Sequence, residues 1–287
     1  MTDVTIIGLG QMGVRLAELM LDAGKRVTVW NRSADKAADL VARGAVLAPD
    51  PAAAIAASAV TIICVFDYDA AQAILNQPGA AEALKGRFLA NLGTGGPEEA
   101  KAAEAFVTAH GGRYLDSAIQ AAPSQMGQPD TPILVSGQQH VFEQLKPLLE
   151  ILGGGIVYLG DAIDAAAYMD LATLSYVYGA FAGFLHGARI AETNGIDVSV
   201  FGKIVKDISP SFGAFFEHEG GVIASGQFAV SESPMRISVT AVERILRSSE
   251  TLGINADLPR LVNGWLVRAA AAGLTGEELA ALIKVLR

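Results

Sequence analysis

The stretch "VTIIGLGQMG", residues 4 to 13, constrains the fold more than any other. Four β-favouring residues lead into Gly8, Gly10 and Gly13 in G-x-G-x-x-G spacing, and the helical run "VRLAELMLDAG" follows. In such a strand, turn and helix, each glycine has separate work. Gly8 permits the tight turn, Gly10 lets a ligand approach the backbone, and Gly13 lets the helix pack closely. A helix N-terminus aimed at that turn attracts an anion. The spacing therefore predicts a dinucleotide pyrophosphate held along Gly8, Leu9, Gly10, Gln11 and Met12. A lone motif of this kind also arises for conformational reasons alone, and its place between strand and helix is what favours the nucleotide.

Four more β-rich runs follow, "RVTVWN", "VTIICVF", "RFLANL" and "RYLDSAI", separated by Ala-rich helical segments such as "ADKAADLVARG" and "PEEAKAAEAFVTAHGG". That alternation implies a parallel sheet covered on both faces. "PILVSG" and "GIVYLG", bracketing "HVFEQLKPLLEILGG", extend the same sheet. After Asp161 the strand signals stop. The expected architecture is an α/β Rossmann-type N-terminal domain over 1–160 and an all-α C-terminal domain over 161–287, joined by a long interdomain helix. That helix is "DAAAYMDLATLSYVYGAFAGFLHGARIAETNG", residues 164 to 195. Gly179, Gly183 and Gly187 recur along one of its faces, where close approach of another helix is expected. "HEGGVIASGQFAVSESP" reads as a breaker-rich connection, a plain loop or a lid, and "PRLVNGWLVRAAAAG" and "TGEELAALIKVLR" as the closing helices.

Composition narrows the partners. A net charge of −9 disfavours nucleic acid and anionic membrane, which both reward a basic surface, so a small molecule is the expected ligand. The uncharged apolar stretch Leu171 to Leu185 is shorter than the roughly 20 residues that cross a bilayer, so no membrane partner is expected. Cys64, the single cysteine, sits in an apolar run as a structural thiol. With no export signal legible near the start, the expected compartment is the cytoplasm.

The end of the second strand, "VWNRSADK", fixes the cofactor. An NAD-selective site usually carries an acidic residue there for the ribose hydroxyls. Here stand Asn31, Arg32 and Ser33, with Lys36 one turn on. Arg32 and Lys36 attract a 2′-phosphate and Ser33 can hydrogen-bond it, so NADP(H) is predicted. A merely solvated basic cluster is the plainer alternative, but positive charge is unfavourable in a helix's first turn, which favours a bound anion. Two later strand ends complete the groove: Val65, Phe66 and Asp67, then Asn91 to Gly96 with Thr94.

Asp170 stands in the apolar helix without an opposite charge near it in sequence. An unpaired buried carboxylate is costly, so it either pairs with a cation from another element or serves chemistry. A carboxylate in an apolar pocket can donate a proton or hold a cation. Tyr178 lies eight residues on, about 12 Å of helical rise, on broadly the same face. It is a hydrogen-bond donor, an aromatic wall, or simply packed with its hydroxyl satisfied. His186 and Tyr176 share the helix, and a lone histidine there reads as packed. His110, His140 and His218 are scattered without metal-ligand spacing, so no metal is assigned. Phe212, Phe215 and Phe216 form pocket walls or core.

"GLGQMG", "NRS" with Lys36, "NLGTGGPEEA", "LDSAIQAAP" and the long helix together resemble the imine reductases, including their reductive-aminase branch, which are related to the β-hydroxyacid dehydrogenases. The resemblance covers essentially the whole chain and implies a C-terminal domain like that of 6-phosphogluconate dehydrogenase. The hydroxyacid enzymes carry a catalytic lysine on this helix with an asparagine three residues later; the matching positions here are Asp170 and Thr173. Their substrate loop ends in a serine and paired glycines, where this chain has "DSAIQAAP". Reductive aminases have an Asp followed eight residues on by a Tyr, matched by Asp170 and Tyr178. The resemblance thus implies NADPH-dependent reduction of an imine, or of an amine and carbonyl together. It also implies an intertwined homodimer, each active site lying between one subunit's nucleotide domain and its partner's helical domain. A hydroxyacid or other carbonyl dehydrogenase with an altered acid, and a non-catalytic NADPH sensor, are the alternatives.

Overall fold

In the computed structural model, which describes residues 1–287, the chain divides into two compact units, Met1–Ser175 and Tyr176–Arg287. The first contains β1 (Val4–Ile7), α1 (Gln11–Asp22), β2 (Val27–Trp30), α2 (Ala38–Ala42), β3 (Val46–Leu47), α3 (Pro51–Ala57), β4 (Val60–Ile63), α4 (Tyr68–Leu75), α5 (Ala80–Ala83) and β5 (Phe88–Asn91). It continues through α6 (Pro97–Ala109), β6 (Arg113–Ile119), β7 (Pro132–Ser136), α7 (Gln139–Leu152) and β8 (Gly155–Tyr158). The long helix α8 (Ala165–Thr193) begins in this unit, and α9 (Val198–Ser225), α10 (Met235–Thr251) and α11 (Asp257–Ala271) lie in the second.

The eight strands form one sheet in the order β3-β2-β1-β4-β5-β6-β7-β8. The strands are apolar almost throughout because both faces are covered, so successive residues enter different cores. Ile6, Val29 and Ile62 pack with Leu16 and Met20 of α1 and Leu145 and Leu149 of α7. Ile7, Trp30 and Ile63 pack with Ile55 of α3 and Val107 of α6.

The sheet is not wholly parallel: β7 runs antiparallel to β6, with Asp116 opposite Ser136. Between them lie only loop and a short 3₁₀ turn at Pro123–Gln125. A parallel return generally needs a crossover helix, and this connection has none. The α7 crossover then restores parallel pairing between β7 and β8.

In the second unit, α9 carries through to Ser225, so half of the expected breaker-rich connection is helix and the true connection is 226–234. Gly220 and Gly221 are accommodated within the helix, which ends where Gly226 adopts a left-handed φ of 67°. The chain terminus folds as 3₁₀ turns, Leu274–Gly276 and Leu279–Val285, rather than as the α-helix its pattern suggests. Of the three stacked glycines, only Gly187 has a close neighbour: a Cβ there would stand 2.7 Å from the Phe201 ring. Gly179 and Gly183 face open space.

Candidate active site

The glycine turn is built as tightly as its spacing demands. Gly8 has φ +96°, and a Cβ on it would lie 2.3 Å from the Cys64 carbonyl oxygen; one on Gly13 would lie 1.8 Å from the Gly8 carbonyl oxygen. Gly10 differs, since nothing stands within 4 Å of its Cβ position. Its backbone faces an open cradle at the start of α1, the place where a pyrophosphate needs bare backbone and a helix N-terminus.

Asn31 locks this turn to the end of β2. Its Oδ1 accepts the Leu9 N–H at 2.9 Å, and its Nδ2 donates to the Ser33 carbonyl at 3.0 Å. Both ends of the side chain therefore serve the loop, a structural duty that the sequence did not reveal. Gly8, Leu9, Gly10, Gln11, Met12, Asn31, Arg32, Ser33, Lys36, Val65 and Phe66 line one cavity of about 520 Å³. Thr94 lines an adjoining cavity of about 480 Å³ with Asp67, Gly93, Ile119 and Asp170. Met12, Cys64, Val65 and Phe66 belong to both, so the nucleotide cradle opens onto Asp170.

Asp170 is buried, only 7% exposed, and no lysine or arginine of its unit pairs with it. Its partner is neutral: Gln120 Nε2 donates to Oδ1 at 2.5 Å. Gln120 Oε1 in turn accepts from the Thr173 hydroxyl at 2.8 Å. Gln120 follows the C-terminal end of β6, the kind of position where ligands bind in such sheets. That rule was the available signal for it; its partners fifty residues later were not legible.

A second buried carboxylate stands on β6, two residues before Ala118 of the cavity lining. Asp116 on β6 accepts hydrogen bonds from the Tyr68 and Tyr114 hydroxyls, the latter at 3.1 Å. Burial pushes its pKa up to about 7 against the opposing pull of those hydroxyls, and the negative charge of Asp170 adds to the rise. Burial likewise pushes the Cys64 thiol up to about 11, which suits a packed side chain rather than a nucleophile.

In the second unit, Tyr178 is exposed, and the Tyr176 ring meets Phe216 edge-on at 5.5 Å. Phe212 and Phe216 are half exposed, so they are not core within the chain. His186 hydrogen-bonds Ser249 at 3.2 Å. His218 is less isolated than its sequence position indicates: His218, Glu219 and Glu278 each bring a ligand-type atom within 4.8 Å of one another. The Glu278 carboxylate is already occupied by the backbone N–H groups of Ser231, Glu232 and Ser233, which tie the 226–234 connection down.

Comparison with known proteins agrees with this arrangement. Residues 3–160 match the model of the NAD binding domain of 6-phosphogluconate dehydrogenase, and residues 162–287 that of the NADPH-dependent reductive aminase-like C-terminal domain. The chain is 31% identical to an NADPH-dependent reductive aminase of Aspergillus oryzae, over 98% of this chain and 96% of that protein. It superposes on the imine reductase of Myxococcus stipitatus solved with NADP+, at TM-score 0.91 and 27% identity, over 99% of this chain and 100% of that one. The reductive aminase of Aspergillus terreus, solved with NADPH and ethyl levulinate, gives TM-score 0.89 and 33% identity, over 100% of this chain and 99% of that one. With nucleotide-domain and aminase-type helical models together spanning nearly the whole chain, the protein belongs to the NADPH-dependent imine reductase and reductive aminase family.

Proposed function

We propose that this protein reduces imines and iminium ions to amines with NADPH, including imines formed from a carbonyl compound and an amine. The observation that carries the reading is Asp170, a buried carboxylate without a cation, lining a cavity continuous with the dinucleotide cradle. The cradle fits the cofactor, because Gly10 leaves its backbone open where the pyrophosphate must approach. Bound NADPH supplies a hydride. Arg32, Lys36 and Ser33 line the cradle beside the Trp30 strand end, where they select for a 2′-phosphate. Asp170, itself buried, offers negative charge to a cationic nitrogen, and burial strengthens that attraction over its value in water. A lysine in its place would repel that nitrogen, which separates this chemistry from hydroxyacid oxidation. Tyr178, farther along α8, is proposed as a hydrogen-bond donor to the substrate.

A second copy of the chain completes the protein. In the second unit, Val200, Ile204, Ile208, Phe212 and Phe216 recur every four residues along α9, all at least 43% exposed, and Phe181 and Leu185 of α8 are at least 53% exposed. Apolar stripes of that extent call for a protein partner, and a symmetric copy is the commonest one. No helix is long and apolar enough to cross a membrane. A single buried cysteine fits the reducing cytoplasm, which we propose as the location.

The test is purified protein with NADPH and a cyclic imine, alongside a β-hydroxyacid with NADP+. NADPH consumption with amine formation is expected. Hydroxyacid oxidation without imine reduction would overturn the reading in favour of a dehydrogenase, and NADPH binding without any turnover would make the protein a sensor.

A further inference from the structure

Gln120 occupies an unusual place, because each end of its amide has one partner and each partner can change role. Its Nε2 is 2.5 Å from Asp170 Oδ1, and its Oε1 is 2.8 Å from Thr173 Oγ1. The Thr173 hydroxyl has two other acceptors within reach, the Met169 carbonyl at 3.0 Å and the Asp170 carbonyl at 2.9 Å. A hydroxyl carries one hydrogen, so it must choose among three acceptors.

That choice gives the network two complete states. When Asp170 is ionised, the amide N–H donates to Oδ1 and the Thr173 hydroxyl donates to Oε1. When Asp170 carries a proton, its O–H donates to the amide oxygen, the amide having turned end for end. The amide N–H then donates to Thr173 Oγ1, and the threonine hydrogen moves to the Met169 or Asp170 carbonyl. Both states use the same heavy-atom positions, and each keeps the run from Asp170 Oδ1 through the Gln120 amide to Thr173 closed, with the second amide hydrogen and Asp170 Oδ2 outside it. A fixed cation would satisfy only the anion, and an apolar neighbour only the acid.

We propose that Gln120, backed by Thr173, is the positioning residue that lets Asp170 hold and release a proton without losing its place in the cavity. When a basic nitrogen enters, the Asp170 O–H breaks from the amide oxygen and turns to that nitrogen, the proton passes to it, Asp170 becomes the carboxylate that faces the resulting cation, and the amide turns back to donate to Oδ1. This inference rests on the imine-reducing role of Asp170 proposed above. It also assigns an activity-linked role to a side chain that a purely structural reading would treat as a tie between the β6 end and α8.

The other ionisable groups around Asp170 do not supply this function. From the β4–α4 connection come Asp67, whose Oδ1 caps α4 through the Ala70 N–H, and the buried Cys64 thiol. From β6 comes Asp116, held by Tyr68 and Tyr114. From α6 come Glu99, turned to the Gly96 N–H, Glu104, and Lys101, paired with Glu98 and with Asp164 near the start of α8. Asp67 and Cys64 line the same cavity, and neither hydrogen-bonds the Asp170 carboxylate, whose partner is Gln120.

The experiment follows the Asp170 proton directly. Infrared difference spectra of cofactor-free protein against Asp170→Asn isolate the protonated-carboxyl C=O band of Asp170, which is titrated with pH in the unmodified protein, Gln120→Met and Gln120→Ala. The amide's bond to the carboxylate is charge-assisted and so the stronger of its two alternatives; its loss should move the band's midpoint toward alkaline pH, with a roughly tenfold change in the protonated fraction. The kcat–pH profile should move the same way, with KM changing less than kcat. Thr173→Val strips the same support from both amide states, so its midpoint should stay near that of the unmodified protein while kcat falls. Unchanged midpoints in both Gln120 variants, or a Thr173→Val midpoint displaced as far as theirs, would overturn the inference. Failure of the parent reading looks different: the unmodified protein would then not reduce imines at all, whatever the infrared titration shows. If Gln120→Met does not fold, Gln120→Ala carries the comparison alone.

Discussion

Asp116 shows how one buried residue reaches the behaviour of its whole unit. Its carboxyl, raised to about 7, holds a proton more tightly in the folded chain than at its ordinary value of 3.8 in the unfolded chain. The stabilisation from that difference is complete below about pH 4 and disappears as pH rises through about 7. Three units correspond to about 4 kcal/mol as a ceiling. Denaturant titrations at pH 5 and pH 8 should therefore show the unmodified protein losing more stability than Asp116→Asn, whose amide keeps an acceptor for both tyrosine hydroxyls. Equal losses would contradict the assignment. At this scale the sequence was legible where chemistry is unusual for its setting, as with Asp170 in an apolar helix. It was silent where meaning depends on a distant partner: Asp116 needed Tyr68, and Gln120 needed Thr173, neither a neighbour in the chain.

At the scale of elements, the three glycines of the β1–α1 turn look equivalent in a motif but differ in what surrounds them. Gly13→Ala forces a Cβ against the Gly8 carbonyl at 1.8 Å, so it should destabilise the unit by roughly 2 kcal/mol or more and weaken cofactor binding with it. Gly10→Ala meets nothing in the protein, so it should leave thermal stability unchanged and cut NADPH affinity at least tenfold by covering the cradle. Calorimetry paired with cofactor titration checks both, and a large loss of stability in Gly10→Ala would show that the open cradle has been misread. The run of strands and helices through Asp161 was legible because two-faced burial makes each strand continuously apolar. The reversal at β7 was not, because "PILVSG" reads the same in either direction and only the missing crossover helix decides. The extension of α9 through Gly220 and Gly221 was likewise hidden, since paired glycines look like a break, and only the burial of Glu219 and Val222 on either side anchors that turn. The loop beyond it is fixed by Glu278, whose charge meets three backbone N–H groups no pattern connects to it.

On the scale of the whole molecule, a chain with alternating α/β and all-helical halves was readable from the point where strand signals cease. That α8 and α9 leave apolar side chains exposed was not, because exposure is not written in hydropathy. Those apolar stripes predict a stable dimer of about 60 kDa, twice the 29.8 kDa chain, in light scattering at micromolar concentration. Replacing Ile204 and Phe212 by glutamate should shift the protein toward monomer, and a monomeric unmodified protein would remove the basis for the proposed second copy.

In the proposed reaction a buried carboxylate, Asp170, opens onto the nucleotide cradle and acts on the substrate nitrogen. The most direct test is Asp170→Asn, measured for NADPH affinity and for reduction of a preformed cyclic imine. Removal of an acid or charge acting on the reacting nitrogen should lower kcat by about 100-fold or more, with NADPH affinity held within about threefold. Imine reduction at the unmodified rate, with the cofactor still bound, would contradict the account.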